Sequence, residues 1–215
     1  MIRPAADGLA RPFAWLLIGA VVAVPVIVAA ASPLQASRDE IWVLGGMSGV
    51  VALALLFLQP VLIGRFRLLK GLQERRWHRW IGAAIVMLVA IHIGGLYVTS
   101  PEDITDALLL VSPTPFALYG VIGLAGVILT TALALFRKRL ADGVWQIAHT
   151  ILAVAIVGGS VVHALLIEGA MGETTKLVLC LFLVAATTGV VLKSAFGSLK
   201  AAQARASRKM KEAAE

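Results

Sequence analysis

Cysteine is almost missing from this 215-residue chain. The single one, Cys180, sits inside an apolar run, so no disulfide framework and no cysteine-built zinc or iron–sulfur site can form. The same scarcity excludes a Cys-x-x-Cys-His attachment for a covalently held cofactor. Charge is scarce too: 14% of residues are charged against 60% hydrophobic, with a mean hydropathy of +0.92. That balance excludes a soluble domain and points to an integral membrane protein. The net charge is +7, but the lysines and arginines gather at the ends of apolar runs, which argues against a nucleic-acid partner. No glycine-rich phosphate loop follows a strand-like segment, so the chain carries no nucleotide fold of its own.

What is present is a set of six apolar runs, each long enough to cross a bilayer, at about 13–31, 41–63, 76–98, 116–136, 144–167 and 175–195. The expected fold is therefore all-α, a six-span transmembrane helical bundle. A rival reading of the first run is a signal peptide, with a basic start and Ala29-Ala30-Ala31 as the cleavage site. Gly45 and Gly49 in the second run form a small-xxx-small pair, read as plain helix packing. Residues 99–114 hold three acids and no base, and 106–111 is expected to be a short helix lying against the bundle. The basic residues sort by side: of 19 lysines and arginines, all but Arg38 and Lys176 fall at the N-terminus, in the loop 64–79, in the loop 137–144 or in the tail. The positive-inside rule then places both termini in the cytoplasm, the inner membrane of a bacterium being the expected location. The division is a first helix with its outer loop over 1–40, a membrane core over 41–195 and a basic cytoplasmic tail over 196–215.

Histidine is rare, and its placing is the most informative feature. All four residues fall into two pairs, His78 with His92 in the third run and His149 with His163 in the fifth, each fourteen positions apart. On an α-helix fourteen residues rise roughly 21 Å and come close to four full turns, so both members of a pair point from nearly the same face, about 40° apart. The third and fifth spans run in the same direction under the six-span topology. His78 then shares a level with His149 toward the cytoplasm, and His92 shares one with His163 toward the outside. A polar residue inside a span needs a partner. Two imidazoles facing each other across an iron porphyrin satisfy that need, and with both axial positions filled the iron is suited to outer-sphere electron transfer.

Gly82, Gly95, Gly158 and Gly159 lie where porphyrin rings would press on the backbone, although glycine is common in membrane helices in any case. Arg75, Arg76 and Arg79 are candidates to pair with haem propionates, beside the plainer role of anchoring the cytoplasmic side. The His78, His92, His149 and His163 set, read together, predicts two haem b groups, His78 with His149 at the inner level and His92 with His163 at the outer.

These residues resemble the ferric reductase-like transmembrane domain, the haem core shared by ferric reductases and NADPH oxidases. The resemblance spans about 41–195. It is carried by the WHRWIG start with His78 and His92, by SPTPF before the fourth span, and by WQIAH to VVHALLIEG with His149 and His163. It implies a b-type cytochrome that moves electrons from a cytoplasmic flavin or nicotinamide donor to an outer acceptor, ferric iron first and a periplasmic protein second. It also implies that flavin enters only through a partner flavoprotein, since full-length family members carry flavin and nucleotide domains after the sixth span. Leu96 stands where oxygen-reducing members have a further histidine, which counts against superoxide production. The chain is also similar to the haem-containing membrane subunit of the bacterial methionine sulfoxide reductase system, but His78 is absent from that pattern. Two readings without haem chemistry stand beside these: a histidine-based proton or ion transporter, and a structural anchor for a soluble redox enzyme.

Overall fold

The computed structural model describes residues 5–64 and 75–212. Arg3, and Arg65, Arg67, Lys70 and Glu74 of the expected basic loop, lie outside them. Among the described residues there are seven α-helices and no strand: α1 (Ala5–Ala30), α2 (Glu40–Ile63), α3 (Arg75–Thr99), α4 (Pro101–Leu108), α5 (Pro115–Leu135), α6 (Asp142–Leu166) and α7 (Glu173–Glu212). All but α4 are long and apolar enough to cross a membrane, and the chain is an integral membrane protein.

Local chemistry sets the helix starts. The Asp39 carboxylate accepts from the Ile41 amide at 2.8 Å, with Glu40 adding negative charge to the first turn of α2. Pro101 and Pro115 open α4 and α5, where a missing N–H costs nothing. The short helix α4 begins earlier than the expected 106–111, because Pro101 with Glu102 and Asp103 makes a good first turn. It ends at Leu108 with Leu109 as its cap; the next residue, Leu110, has a left-handed φ of 61°, and the Val111 amide reaches back to the Asp106 carbonyl at 2.9 Å. The last helix also departs from expectation. It continues without a break through the basic tail to Glu212, its apolar span being Glu173–Ser198.

The packing builds two hairpins, α2 with α3 and α5 with α6, each in close contact along its length. Small residues allow that approach. A Cβ on Gly95 would sit 2.9 Å from the Gly45 Cα, and one on Gly159 would sit 2.8 Å from the Gly123 amide nitrogen. In lipid such backbone proximity is a main source of helix association, since the tails are as apolar as the side chains. The buried core lies elsewhere, where α1, α2 and α7 meet with part of α6. Leu53, Ala54 and Phe57 pack there against Leu179, Cys180 and Leu183, and Phe57 meets Phe182 edge-on at 6.3 Å. By contrast, only 6% of the apolar window of α3 is buried, against 33% for α2. α3 and α6 do not pack closely along their length. They meet through their histidines.

Candidate metal centre

His78 and His92 lie on α3, His149 and His163 on α6. The rings of His78 and His149 face each other with centroids 6.1 Å apart and planes crossed at 77°. Those of His92 and His163 are 6.4 Å apart and crossed at 81°. The same two partners therefore meet at both levels, which makes α3 and α6 parallel, and the expected pairing is the observed one.

The distances can be tested against a metal held between the rings. A metal–imidazole nitrogen bond is about 2.0–2.1 Å, and a ring nitrogen lies roughly 1.2 Å from its ring centre, so two trans imidazoles stand about 6.4 Å apart centroid to centroid. Both observed separations fit. Among the described residues no three or more His, Cys, Asp or Glu side chains gather around one point. Two imidazoles alone are too few for a bare tetrahedral ion, so a metal held here would need further ligands that the described residues do not supply.

The His92–His163 level is built with hydrogen bonds. His92 Nδ1 lies 2.8 Å from the Gly45 carbonyl oxygen, and His163 Nδ1 lies 2.8 Å from the Phe116 carbonyl oxygen. A carbonyl only accepts, so each Nδ1 carries the proton and donates it, leaving the Nε2 lone pair free for a metal. Such a bond fixes the ring and strengthens it as a ligand. Two glycines seat these rings. A Cβ on Gly49 would lie 2.7 Å from His92 Nδ1, and one on Gly120 would lie 2.7 Å from His163 Nδ1. Gly49 therefore faces an imidazole, and only Gly45 of its pair serves helix packing. The Phe116 ring stands edge-on to His163 at 5.9 Å.

The His78–His149 level is held differently. Among the described residues neither Nδ1 has a hydrogen-bond partner, although both are buried. His149 instead lies parallel to Trp145, with centroids 5.2 Å apart and planes 9° from parallel. The Arg137 guanidinium stands 5.2 Å over the Trp145 ring and pairs with Asp142. From α2, Gln59 Nε2 donates to the His78 carbonyl oxygen on α3 at 3.3 Å.

The other sequence candidates are scattered. Gly95 and Gly159 have their open side against a neighbouring backbone, as given above. The nearest atom to a Cβ on Gly82 would be Gln59 Nε2 at 3.8 Å, and Gly158 faces open space. Arg76 and Arg79 are exposed at the start of α3, while the Arg75 side chain lies outside the described residues. Sequence reasoning missed the ring contacts of Gly49, Gly120 and Phe116, the bond from Gln59 to the His78 carbonyl, and the stacking of Trp145. A signal was there for the glycines: Gly120 follows Gly49 by 71 positions, the same offset that relates His149 to His78 and His163 to His92. Val50 and Val121, Leu53 and Leu124, and Ile85 and Ile156 share it, so the two hairpins are an internal repeat.

These features define a class: an integral membrane bundle in which two repeated hairpins bring four histidines into two pairs. The chain belongs to the family of the ferric reductase like transmembrane component, whose model matches residues 48–160, more than half of its length, and with that match it is a membrane electron-transfer component. The match takes in His78, His92 and His149. No curated protein and no solved structure matches the chain.

Proposed function

We propose that this protein is a diheme b-type membrane cytochrome, with His78 and His149 holding one haem and His92 and His163 the other. The observation that carries the proposal is the repeated ring separation, 6.1 Å and 6.4 Å, at two levels of one helix pair. Bound at both levels, haem supplies one-electron transfer between the two faces of the membrane. The chain's own residues would hold each haem by one imidazole from α3 and one from α6 within apolar helix, which would keep substrate away from the metal itself. Fourteen helical residues separate the levels by about 21 Å, so together they reach across most of the roughly 30 Å hydrocarbon layer. The basic ends of α3, α5 and α7 favour a cytoplasmic placing of the His78–His149 level and of both termini, in a bacterial inner membrane. The donor is a cytoplasmic flavoprotein and the acceptor stands outside, with ferric iron the first choice. Arg76 and Arg79, exposed in the first turns of α3 near His78, would meet propionates at the inner level.

A pyridine haemochrome assay on the purified chain tests this directly. Two b-type haems per chain are expected. A preparation with no Soret band, even after expression with added haem, would defeat the proposal in favour of a histidine-based transporter. Electron paramagnetic resonance adds a second reading. Ring planes crossed at 77° and 81° leave the two π-type iron orbitals nearly equal in energy, so both ferric signals should be of the highly anisotropic low-spin kind.

A further inference from the structure

The two rings of the His92–His163 level share one seat. In each hairpin the imidazole reaches across to the helix beside it and donates to a carbonyl there, from His92 to Gly45 and from His163 to Phe116. In each, the residue one turn beyond that carbonyl is a glycine, Gly49 or Gly120. Residues four apart stack on one helix face, so the ring must lie over that position to reach the oxygen. The oxygen can accept this bond beside its helical one, and at Gly45 it also accepts from the Ser48 hydroxyl at 2.8 Å, a bond the Phe116 seat lacks among those described. Both seats repeat in number as well as kind: 2.8 Å from Nδ1 to oxygen, and 2.7 Å from Nδ1 to the Cβ that glycine does not have. At 2.7 Å the ring must move, and the neighbouring helix backbone behind it cannot.

We infer that Gly49 and Gly120 are positioning residues for the outer haem. Each acts through the imidazole lying on it: the bare backbone lets Nδ1 reach its carbonyl, and that bond sets the tautomer and aims Nε2 across at its partner. The inference rests on the diheme reading for its consequence, but the seat itself is a property of this chain.

The test compares the full-length wild type with Gly49→Ala and Gly120→Ala, using Gly46→Ala as control, since a Cβ on Gly46 meets nothing within 4 Å. Haem content of each glycine variant should fall from two per chain toward one. Any outer-level signal that remains should move from its wild-type position, while the inner-level signal stays. Gly46→Ala should keep both. Unmoved signals with full haem content, or equal loss at both levels, would overturn the inference.

A double-mutant cycle covers the case where a glycine variant folds poorly. Removing the imidazole leaves room for the added methyl, so Gly49→Ala should lower the melting temperature clearly in the wild-type background and hardly at all in His92→Ala. An equal drop in both backgrounds would show that the methyl acts on helix packing and not on the ring, and would overturn the inference. This readout needs no haem. A wild type without haem defeats the proposed function and leaves the cycle intact, so the two failures can be told apart.

Discussion

At the His92–His163 level each imidazole donates to a main-chain carbonyl at 2.8 Å; at the His78–His149 level neither Nδ1 makes such a bond among the described residues, although His78 lies against the Gln59 main chain. The outer rings donate to the carbonyls of Gly45 and Phe116. Of the inner rings, His149 lies on Trp145. A carbonyl cannot be substituted away, so the outer geometry is written in helix register and in the absence of a Cβ at Gly49 and Gly120. The inner geometry is written in Trp145 and Arg137, which one substitution can change. Hydrogen bonding from Nδ1 makes an imidazole the stronger donor to ferric iron. On the diheme reading, His92 and His163 would therefore be the more electron-rich pair.

The largest effect expected from breaking this comparison is loss of a whole level. Replacing His92 or His163 with alanine should remove one haem of two and leave the inner signal unchanged. Replacing His78 or His149 should remove the other. The two levels are separated by about four helical turns, so neither loss should reach across. Haem content together with the paramagnetic spectrum of each variant checks this. Equal loss of both haems from any single replacement would show that the levels form one cooperative unit.

The part of this design that could be read from the sequence was the part written in periodicity. Fourteen residues between His78 and His92, repeated between His149 and His163, fix two levels on any pair of parallel helices, and the bundle pairs those residues. Helix boundaries followed from run length and from the basic stop at Arg137, Lys138 and Arg139. What escaped was whatever depends on a neighbouring helix. Gly49 reads as one more small residue until α2 is laid against α3. Gln59 shows its bond to the His78 carbonyl only in the folded hairpin. Trp145 is four residues before His149, one turn away, which allows stacking without specifying it. The tail likewise kept its helix because alanine, lysine and arginine favour one regardless of the membrane boundary near Ser198.

A middle-sized effect should sharpen the contrast without removing a ligand. Trp145→Leu keeps an apolar side chain of helix-forming type but ends the parallel stack on His149. With no hydrogen bond on its Nδ1, that ring is then free to turn about its own axis. The 77° crossing with His78 should relax, and the inner signal should move while the outer one stays. Trp145→Phe, which retains a flat face, should shift it less. A displaced outer signal in Trp145→Leu would mean that the two levels are not held independently.

The smallest effect separates two interactions of one side chain. Arg137 lies over the Trp145 ring and also pairs with Asp142, whose side chain is 92% exposed. An ion pair in that setting is screened by water and salt and contributes about 0–1 kcal/mol. The guanidinium over the ring contributes about 0.5–1 kcal/mol and, unlike the ion pair, acts on the group that orients His149. Asp142→Asn should therefore leave the inner signal where it is. Arg137→Gln should broaden or shift it slightly, by less than Trp145→Leu does. If Arg137→Gln matched Trp145→Leu, the cation and not the stack would be what sets the inner ring. If neither Arg137→Gln nor Trp145→Leu moved the signal, the His149 ring would be held by the metal alone, and the inner level would differ from the outer in having no support of its own.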